Sequence, residues 1–222
     1  MTQVLVVGAS RGIGFELARQ YRAAGDAVTA SARDDAALAV LRGLGATAIA
    51  LDVASAQSVS GLAWQIDGIA FDTVVYCPGL YGPRSDGLQP PTEADFDRVM
   101  HSNVLGAMRV LGQLGDALAP QARIAVLSSR MGSIGGRAGA NGWLYRASKA
   151  ALNSVLKDAS IVLAGRAICV ALHPGWVQTD MGGAGADLTV ERSAADLRRT
   201  IAALTAADSG AFLNHDGSAI PW

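Results

Sequence analysis

The 222-residue sequence has little charge and few aromatic side chains, and it holds only two cysteines. Charged residues make up 17% and the formal net charge is −1, so no basic stripe is available to bind nucleic acid. The sequence opens with neither a charged leader nor a long apolar segment, which argues against a signal peptide or a membrane span. Cys77 and Cys169 are isolated in apolar surroundings, and no metal-ligand spacing is present. These absences predict a cytoplasmic protein with two buried thiols and no metal, membrane or nucleic-acid partner.

Hydrophobic residues and glycine are abundant by contrast. Hydrophobic residues make up 50% of the chain, and 26 residues are glycine. This composition is typical of a buried parallel sheet flanked by helices, and the length suits one domain rather than two. Strand-like runs are predicted at 4–7, 27–32, 47–51, 73–77, 124–127, 167–172 and 211–213. They alternate with helical patterns at 12–24, 35–43, 55–66, 93–118, 143–164 and 190–204. The alternation predicts a single doubly wound (Rossmann) α/β domain over 1–222, with a mostly parallel seven-stranded sheet and helices on both faces.

A glycine-rich turn follows the first predicted strand and opens the first predicted helix. Backbone N–H groups and the positive end of a helix dipole can hold a pyrophosphate there. Gly8 suits the tight turn, Gly12 lets the backbone approach the phosphates, and Gly14 lets the helix pack on the strand. The turn therefore predicts a dinucleotide-binding site.

Ligands of such sheets bind at the carboxyl ends of the strands, where three predicted loops are long for a compact domain. These loops, 77–91, 128–142 and 173–189, are the predicted substrate site. Candidate apolar walls in and beside them are Leu80, Tyr81, Trp143, Leu144, Trp176 and Met181.

Tyr145 and Lys149 are four residues apart on a predicted helix and so share one face. An ammonium near a phenol favours the phenolate, which would bring the pKa of Tyr145 toward the range of an acid/base catalyst. Ser129, at a predicted strand end, has a hydroxyl that can hydrogen-bond a substrate carbonyl, with Ser128 and Ser133 as alternatives. The amide of Asn103, among apolar neighbours, needs a partner and could anchor a water chain to Lys149.

Six features, in order and spacing, resemble the short-chain dehydrogenase/reductase family: Gly8-x-x-x-Gly12-x-Gly14, Asp52-Val53, Asn103, Ser129, Tyr145-x-x-x-Lys149 and Pro174-Gly175. Segments 145–153, 173–183 and 214–222 are similar to its carbonyl-reductase-like branch. The resemblance covers almost the whole chain. It implies a nicotinamide cofactor and a small carbonyl or alcohol substrate. Family members are often oligomers, which implies a homodimer or homotetramer here.

The resemblance also implies a role for each matching residue. Tyr145 would be the proton donor, Lys149 would hold the nicotinamide ribose and depress the pKa of Tyr145, and Ser129 would orient the carbonyl. Asn103 would support a proton relay through water. The predicted cofactor-binding residues are Gly8, Ser10, Arg11, Gly12, Ile13, Gly14, Arg33, Asp52, Val53, Gly79, Asn103, Tyr145, Lys149, Pro174, Gly175, Val177 and Thr179.

One segment departs from the family pattern. Tyr76-Cys77-Pro78-Gly79 stands where the family usually has Asn-Asn-Ala-Gly, so the amide that ties neighbouring strands is missing and Pro78 removes a backbone donor. We interpret the change as a local structural substitution, with altered cofactor binding as the alternative.

Charge at the end of the second predicted strand bears on the choice of cofactor. An NAD site usually has an acidic residue there, whereas this chain has Ala32 followed by Arg33, with Arg11 on the same side. Two guanidinium groups suit a 2′-phosphate, although Asp34 or Asp35 could turn back toward the ribose. NADP(H) is therefore the preferred cofactor, and NAD(H) the alternative.

Together these features predict an NADPH-dependent oxidoreductase that reduces a small, apolar aldehyde or ketone by hydride transfer. Tyr145 is its predicted general acid. The alternative is a cofactor-binding regulatory or signalling protein with little or no catalysis, which the altered Tyr76–Gly79 segment leaves open.

Overall fold

The computed structural model describes residues 1–85 and 87–222, so Asp86, in the predicted loop 77–91, lies outside the described residues. Seven strands of the described chain form one sheet in the order β3-β2-β1-β4-β5-β6-β7, and every neighbouring pair is parallel. The strands are β1 (Gln3–Val7), β2 (Ala27–Ala32), β3 (Thr47–Ala50), β4 (Phe71–Tyr76), β5 (Leu118–Leu127), β6 (Ala167–His173) and β7 (Ala211–Asn214). The predicted doubly wound fold is confirmed, with a sheet that is parallel throughout rather than mostly parallel.

The helices of the described residues cover both faces of this sheet. They are α1 (Gly12–Ala23), α2 (Asp35–Gly43), α3 (Ala56–Ser60), α4 (Leu62–Gln65), α5 (Glu93–Met100), α6 (Gly106–Gly112), α7 (Trp143–Val162) and α8 (Val190–Ala203). A π-helical turn, His101–Leu105, joins α5 to α6, and short 3₁₀ turns lie at Gly115–Ala117, Arg130–Gly132 and Ala206–Asp208. None of these helices is both long and apolar enough to cross a membrane.

Two buried layers sandwich the sheet because the side chains of each strand alternate between its faces. Leu17 of α1, Leu38 of α2 and Leu197 of α8 are buried in the layer on one face. Leu62 of α4 and Leu152 of α7 are buried in the layer on the other. Burial on both faces explains why the strands appear in the sequence as continuous apolar runs.

Three predicted boundaries were wrong. The predicted helix 55–66 is divided at Gly61, and the predicted helix 93–118 is interrupted by the π-helical turn and ends at Gly112. β5 begins at Leu118 rather than at residue 124. Its first half bulges, since β5 advances from Leu118 to Arg123 while its partner β4 advances only from Phe71 to Thr73.

The site is positioned by the strand order. β1 pairs with β2 on one side and with β4 on the other. The strands β2 and β3 extend the sheet on the first side, and β4 to β7 then extend it on the second. Crevices outside the carboxyl ends of strands at such a reversal are the usual ligand sites of these sheets. The glycine turn after β1 and the loops after β4, β5 and β6 all lie at this edge.

Candidate active site

The glycine turn has the geometry of an anion cradle. Gly8 adopts a positive φ of 78°, and its N–H donates to the Ser31 hydroxyl at 2.9 Å, which fixes the turn to the end of β2. A side chain at position 14 would collide with the Gly8 carbonyl oxygen, so only glycine lets α1 pack this closely on β1. No side chain of the described residues caps α1. Its first N–H groups therefore remain available to a phosphate.

A cleft of about 500 Å³ extends along this edge of the sheet. Most of the predicted cofactor-binding residues line it: Gly8, Ser10, Arg11, Gly12, Ile13, Gly14, Arg33, Asp52, Val53, Gly79, Tyr145, Lys149, Pro174 and Thr179. Asn103 and Val177 are buried behind the lining, and Gly175 packs against Leu188 and His215 instead. Lining residues absent from the sequence prediction include Ala32, Cys77, Leu127, Gln178 and Asp180. Ala32 and Leu127 end the strands β2 and β5, whereas Cys77, Gln178 and Asp180 lie in the loops after β4 and β6.

Tyr145 and Lys149 lie on the buried face of α7, with 6% and 3% of their surface exposed. The Lys149 Nζ donates to the Leu127 carbonyl oxygen at 2.8 Å and lies 5.8 Å from the centre of the Tyr145 ring. Burial lowers the pKa of Lys149 to about 8.

The prediction that the pKa of Tyr145 is depressed was wrong. Burial raises that pKa to about 12, more strongly than a hydrogen bond with Ser129 lowers it. The ammonium of Lys149 donates to the Leu127 carbonyl oxygen, and Lys149 is not among the groups that shift the pKa of the phenol.

The three candidate serines have different partners. The Ser128 hydroxyl donates to Asn153 Oδ1 at 2.5 Å, and the Ser133 hydroxyl donates to the Pro221 carbonyl oxygen. The Ser129 hydroxyl accepts from the Met131 N–H at 3.2 Å and is near enough to the Tyr145 phenol to lower its pKa, although Ser128 rather than Ser129 is among the residues that line the cleft. Ser129 is therefore the serine that meets the Tyr145 side chain.

Asn103 is fully buried in the π-helical turn between α5 and α6. Its Oδ1 accepts from the Leu80 N–H at 2.7 Å, while its Nδ2 donates to the Leu80 carbonyl oxygen at 2.8 Å and to the Ser148 hydroxyl at 2.9 Å. These bonds clamp the loop after β4 to α7. The amide that was expected to anchor water is thus occupied by protein groups.

The altered segment after β4 is accommodated by two glycines. The Tyr76 hydroxyl donates to the Ser102 carbonyl oxygen at 3.3 Å, in space that a side chain at Gly106 would fill. Pro78 packs against Gly8, and Gly79 lies so near Lys149 that a Cβ there would be 3.1 Å from Nζ. These contacts support a local structural substitution.

The two cysteines differ in their surroundings. Both are unpaired; Cys169 is buried as predicted, whereas Cys77 is half-buried and lines the cleft.

The predicted apolar walls divide between two cavities. The Tyr81 ring stacks on the Tyr145 ring, with centroids 4.7 Å apart, and Leu80 and Met181 line the main cleft. Trp143 and Leu144 instead line a second cavity of about 170 Å³ beside Arg84, so their assignment to the same wall was wrong. Trp176 is 53% exposed, and its indole N–H donates to the Gly182 carbonyl oxygen at 2.9 Å.

The model of the short chain dehydrogenase family matches residues 2–189. The chain belongs to that family. This dehydrogenase is 32% identical over the full length of both chains to 1-hydroxy-2-glutathionyl-2-methyl-3-butene dehydrogenase of Rhodococcus sp. (strain AD45). Among solved structures it is similar to the carbonyl reductase Sniffer of D. melanogaster, with a TM-score of 0.90, 26% identity and 100% of both chains covered.

A second solved structure, the NADPH-bound carbonyl reductase from chicken fatty liver, superposes with a TM-score of 0.87. It is 28% identical, and the match covers 100% of this chain and 99% of that one. The protein is therefore an enzyme of the NAD(P)-dependent short-chain dehydrogenase/reductase class, with small-molecule substrates.

Proposed function

We propose that this dehydrogenase uses NADPH to reduce a small, apolar aldehyde or ketone to the alcohol, with Tyr145 as the general acid. The observation that carries the proposal is that Tyr145 and Lys149 line the same cleft one turn apart on the buried face of α7, with the Ser129 hydroxyl near enough to the Tyr145 phenol to lower its pKa. Two hydroxyls that meet there can both contact one carbonyl oxygen. The carbonyl reductases among the structural neighbours support the same chemistry.

The cleft offers the groups that a dinucleotide needs along its length. The uncapped start of α1 suits the pyrophosphate, and Asp52 and Val53 suit the adenine. Pro174, Gly175, Val177 and Thr179 are proposed to hold the nicotinamide, and Gly79 lets it approach Lys149. When bound, the nicotinamide supplies the hydride.

Charge supports NADPH over NADH. Arg33 lines the cleft beyond the end of β2, where Ala32 leaves no carboxylate to repel a 2′-phosphate. Neither Asp34 nor Asp35 is among the residues that line the cleft, and the Asp34 carboxylate caps α2 by accepting from the Ala37 N–H at 2.9 Å. Arg11 forms an ion pair with Asp180 across the cleft, so Arg33 is the stronger candidate for the phosphate.

Each catalytic side chain has one proposed task. Ser129 polarises and orients the substrate carbonyl, and Tyr145 donates its hydroxyl proton to the developing alkoxide. Lys149 is proposed to hold the ribose hydroxyls of the bound cofactor. Asn103 keeps the loop after β4 in place through its bonds to Leu80.

The substrate is proposed to enter between the loops 77–91, 128–142 and 173–189, against Tyr81 and Met181. A cytoplasmic location and a homodimeric or homotetrameric state remain predictions from the sequence. So does the single-domain extent, 1–222.

The chemistry is tested by NADPH oxidation with aldehydes, ketones and diones, and by the reverse reaction with alcohols. The alcohols include a glutathionyl-substituted one, because the Rhodococcus relative is named for such a substrate. Tyr145→Phe should lower kcat by about 10²- to 10⁴-fold, since it removes the proton donor but keeps the ring. Tyr21→Phe is the matched control, because Tyr21 is buried on α1 against Arg198. Cofactor binding without turnover would instead favour the regulatory alternative.

The cofactor preference is tested by Arg33→Ala. Loss of a charge-assisted contact to the 2′-phosphate should lower kcat/KM for NADPH by about 10- to 100-fold and leave NADH within about twofold. Arg42→Ala, at the other end of α2, is the control. Equal losses with both cofactors would contradict the assignment of Arg33.

A further inference from the structure

Helix α8 and the segment after β7 hold the backbone that follows β6. Four residues form this contact, which we call the α8 brace: Ser193, Asp196, Thr200 and His215. The Ser193 hydroxyl donates to the Pro174 carbonyl oxygen at 2.7 Å, and the Thr200 hydroxyl donates to the His215 carbonyl oxygen at 2.7 Å. The Asp196 carboxylate lies 3.1 Å from the His215 Nδ1. The brace thus connects three parts of the chain that are distant in sequence.

Asp196 is the buried centre of the brace, with 2% of its side chain exposed. It accepts hydrogen bonds from Arg192 at 2.9 Å and Arg199 at 2.7 Å. Burial opposes its negative charge, but these two guanidiniums outweigh burial and hold the pKa of Asp196 below its ordinary value. A charge buried with three partners fixes geometry more firmly than an exposed pair would.

The His215 ring packs on the turn that the brace holds. A Cβ on Gly175 would lie 3.2 Å from the His215 Cδ2 and would collide with Leu188 on the other side. Gly175 also has a φ of 87°, which other residues rarely adopt. The Pro174–Gly175 turn is therefore confined by a ring, a leucine and the Ser193 hydrogen bond.

The confined turn forms part of the cleft wall at its catalytic end. Pro174 and Thr179 line the cleft together with Tyr145 and Lys149, while Arg33 and Asp52 line it beyond β2 and β3. None of the brace side chains is in that lining. Their influence must therefore pass through the turn.

We infer that Ser193, Asp196 and His215 are positioning residues that set the Pro174–Gly175 turn against the nicotinamide end of the bound cofactor. The inference rests on the proposed function, because that function assigns this end of the cleft to the nicotinamide. A positioning role affects the binding of only the nicotinamide end of the cofactor. General stabilisation of the fold would instead affect the binding of both ends equally.

The test compares two ligands by calorimetry. NADP⁺ occupies both ends of the cleft, whereas 2′,5′-ADP carries only the adenylate end. Asp196→Asn and Ser193→Ala should each raise the Kd of NADP⁺ by about five- to tenfold, the effect of one or two lost hydrogen bonds, and leave the Kd of 2′,5′-ADP within about twofold. Hydrogen exchange of the ligand-free protein should show faster exchange at residues 175–178 in both variants.

Glu16→Gln is the matched control. Glu16 is also buried on α1, and its carboxylate accepts from Arg19 and Gln20 rather than from the α8 brace or the Pro174–Gly175 turn. Its neutralisation should leave the Kd of both ligands unchanged.

Three outcomes would overturn the inference. Equal weakening of both ligands would mean that the brace only stabilises the fold, and unchanged NADP⁺ binding would mean that the turn needs no brace. Failure of the unaltered protein to bind NADP⁺ would reject the proposed function together with the inference, and it is recognised before any variant is made. If Asp196→Asn does not fold, Ser193→Ala decides alone, since it removes one hydroxyl and no charge.

Discussion

Lys149 and Tyr145 are buried side by side, and burial moves their pKa values in opposite directions. The pKa of Lys149 falls from 10.5 to about 8, and that of Tyr145 rises from 10.0 to about 12. Each shift favours the neutral side chain. Tyr145 is therefore neutral near pH 7, whereas Lys149 keeps most of its charge there and loses it above pH 8.

This arrangement predicts how stability depends on pH. Between pH 8 and 10.5 the unfolded chain keeps the proton of Lys149 while the folded chain loses it, so the unfolded state binds more protons and stability rises with pH. The cost of burying the ammonium is fully present below pH 8. Lys149→Met removes that cost. The unfolding free energy of this variant minus that of the unaltered protein should therefore fall between pH 8 and 10.5, by up to about 1.4 kcal/mol per pH unit.

Urea unfolding from pH 7 to 10 measures the difference, with Lys157→Met, on the exposed side of α7, as the control. The raised pKa values of Cys77 and Cys169 act with the opposite sign above pH 9, and that of Tyr145 does so above pH 10, but all three groups are present in both proteins and are compared at the same pH. A constant difference between the unaltered protein and Lys149→Met would contradict the prediction.

The serines after β5 give a second prediction for single residues. Ser129→Ala should lower kcat by about 10²-fold with little change in stability, because it removes a donor proposed to act on the carbonyl. Ser128→Ala should instead cost about 1–3 kcal/mol of unfolding free energy, since the buried Asn153 Oδ1 loses its donor. Steady-state kinetics and thermal unfolding of both variants are the measurement. Similar losses of kcat in both would contradict the distinction.

Sequence reasoning left the choice among these serines open for a physical reason. Ser128 and Ser129 are adjacent at the end of a strand, where successive side chains point to opposite faces of the sheet. Which of them meets Tyr145 depends on the register of α7 against β5. That register is set by packing between elements distant in the chain, not by local sequence.

The π-helical turn that carries Asn103 is the most consequential irregular element. Such turns often lie at functional sites, because the extra residue re-aims side chains that regular helical geometry would direct elsewhere. Here the turn directs the Asn103 amide at Leu80, which follows β4. The element therefore links the helix layer to the loop that borders the cleft.

Asn103→Asp tests this link, because a carboxylate keeps the shape but cannot donate to the Leu80 carbonyl oxygen and the Ser148 hydroxyl. We expect a loss of about 1–3 kcal/mol in unfolding free energy, with faster hydrogen exchange at the loop after β4. Denaturant unfolding measures the free energy, and hydrogen exchange with mass spectrometry measures the loop. Unchanged exchange in residues 79–82 would contradict the clamp.

The elements themselves were largely predictable, because apolar runs and helical spacing are local signals. The π-helical turn was not, since Asn103 occupies an ordinary helical position in the pattern. The first half of β5 was also missed. It contains Pro120 and Gln121, which has a φ of 60°, and its pairing to β4 depends on a bulge that only the neighbouring strand reveals.

At the scale of the whole molecule, the cleft joins segments from most of the chain. Residues 8–14, 32–33, 51–53, 77–80 and 174–181 all contribute to its lining. A ligand that spans it would bind only the folded state, and mass action then stabilises that state. The proposed cofactor should therefore raise the free energy of unfolding of the entire domain.

We expect NADPH at 100 times its Kd to raise the unfolding free energy by about 2.7 kcal/mol. At the same NADPH concentration, Tyr145→Phe should keep most of this increment, whereas Arg33→Ala should lose about half of it or more, because its Kd is about 10- to 100-fold higher. Denaturant unfolding with and without NADPH is the measurement. An increment in Arg33→Ala equal to that of the unaltered protein would count against a 2′-phosphate site at Arg33.

The placement of Asp34 limits how this enzyme could change its cofactor during evolution. The first carboxylate after β2, that of Asp34, already caps helix α2 through its bond to the Ala37 N–H. Turning it toward NADH would therefore leave a helix end without its cap. A descendant that adopts NADH gains more from a new acidic residue at position 32, with loss of Arg33, than from any rotation of Asp34. A change of cofactor through positions 32 and 33 would in this way leave the cap of α2 intact.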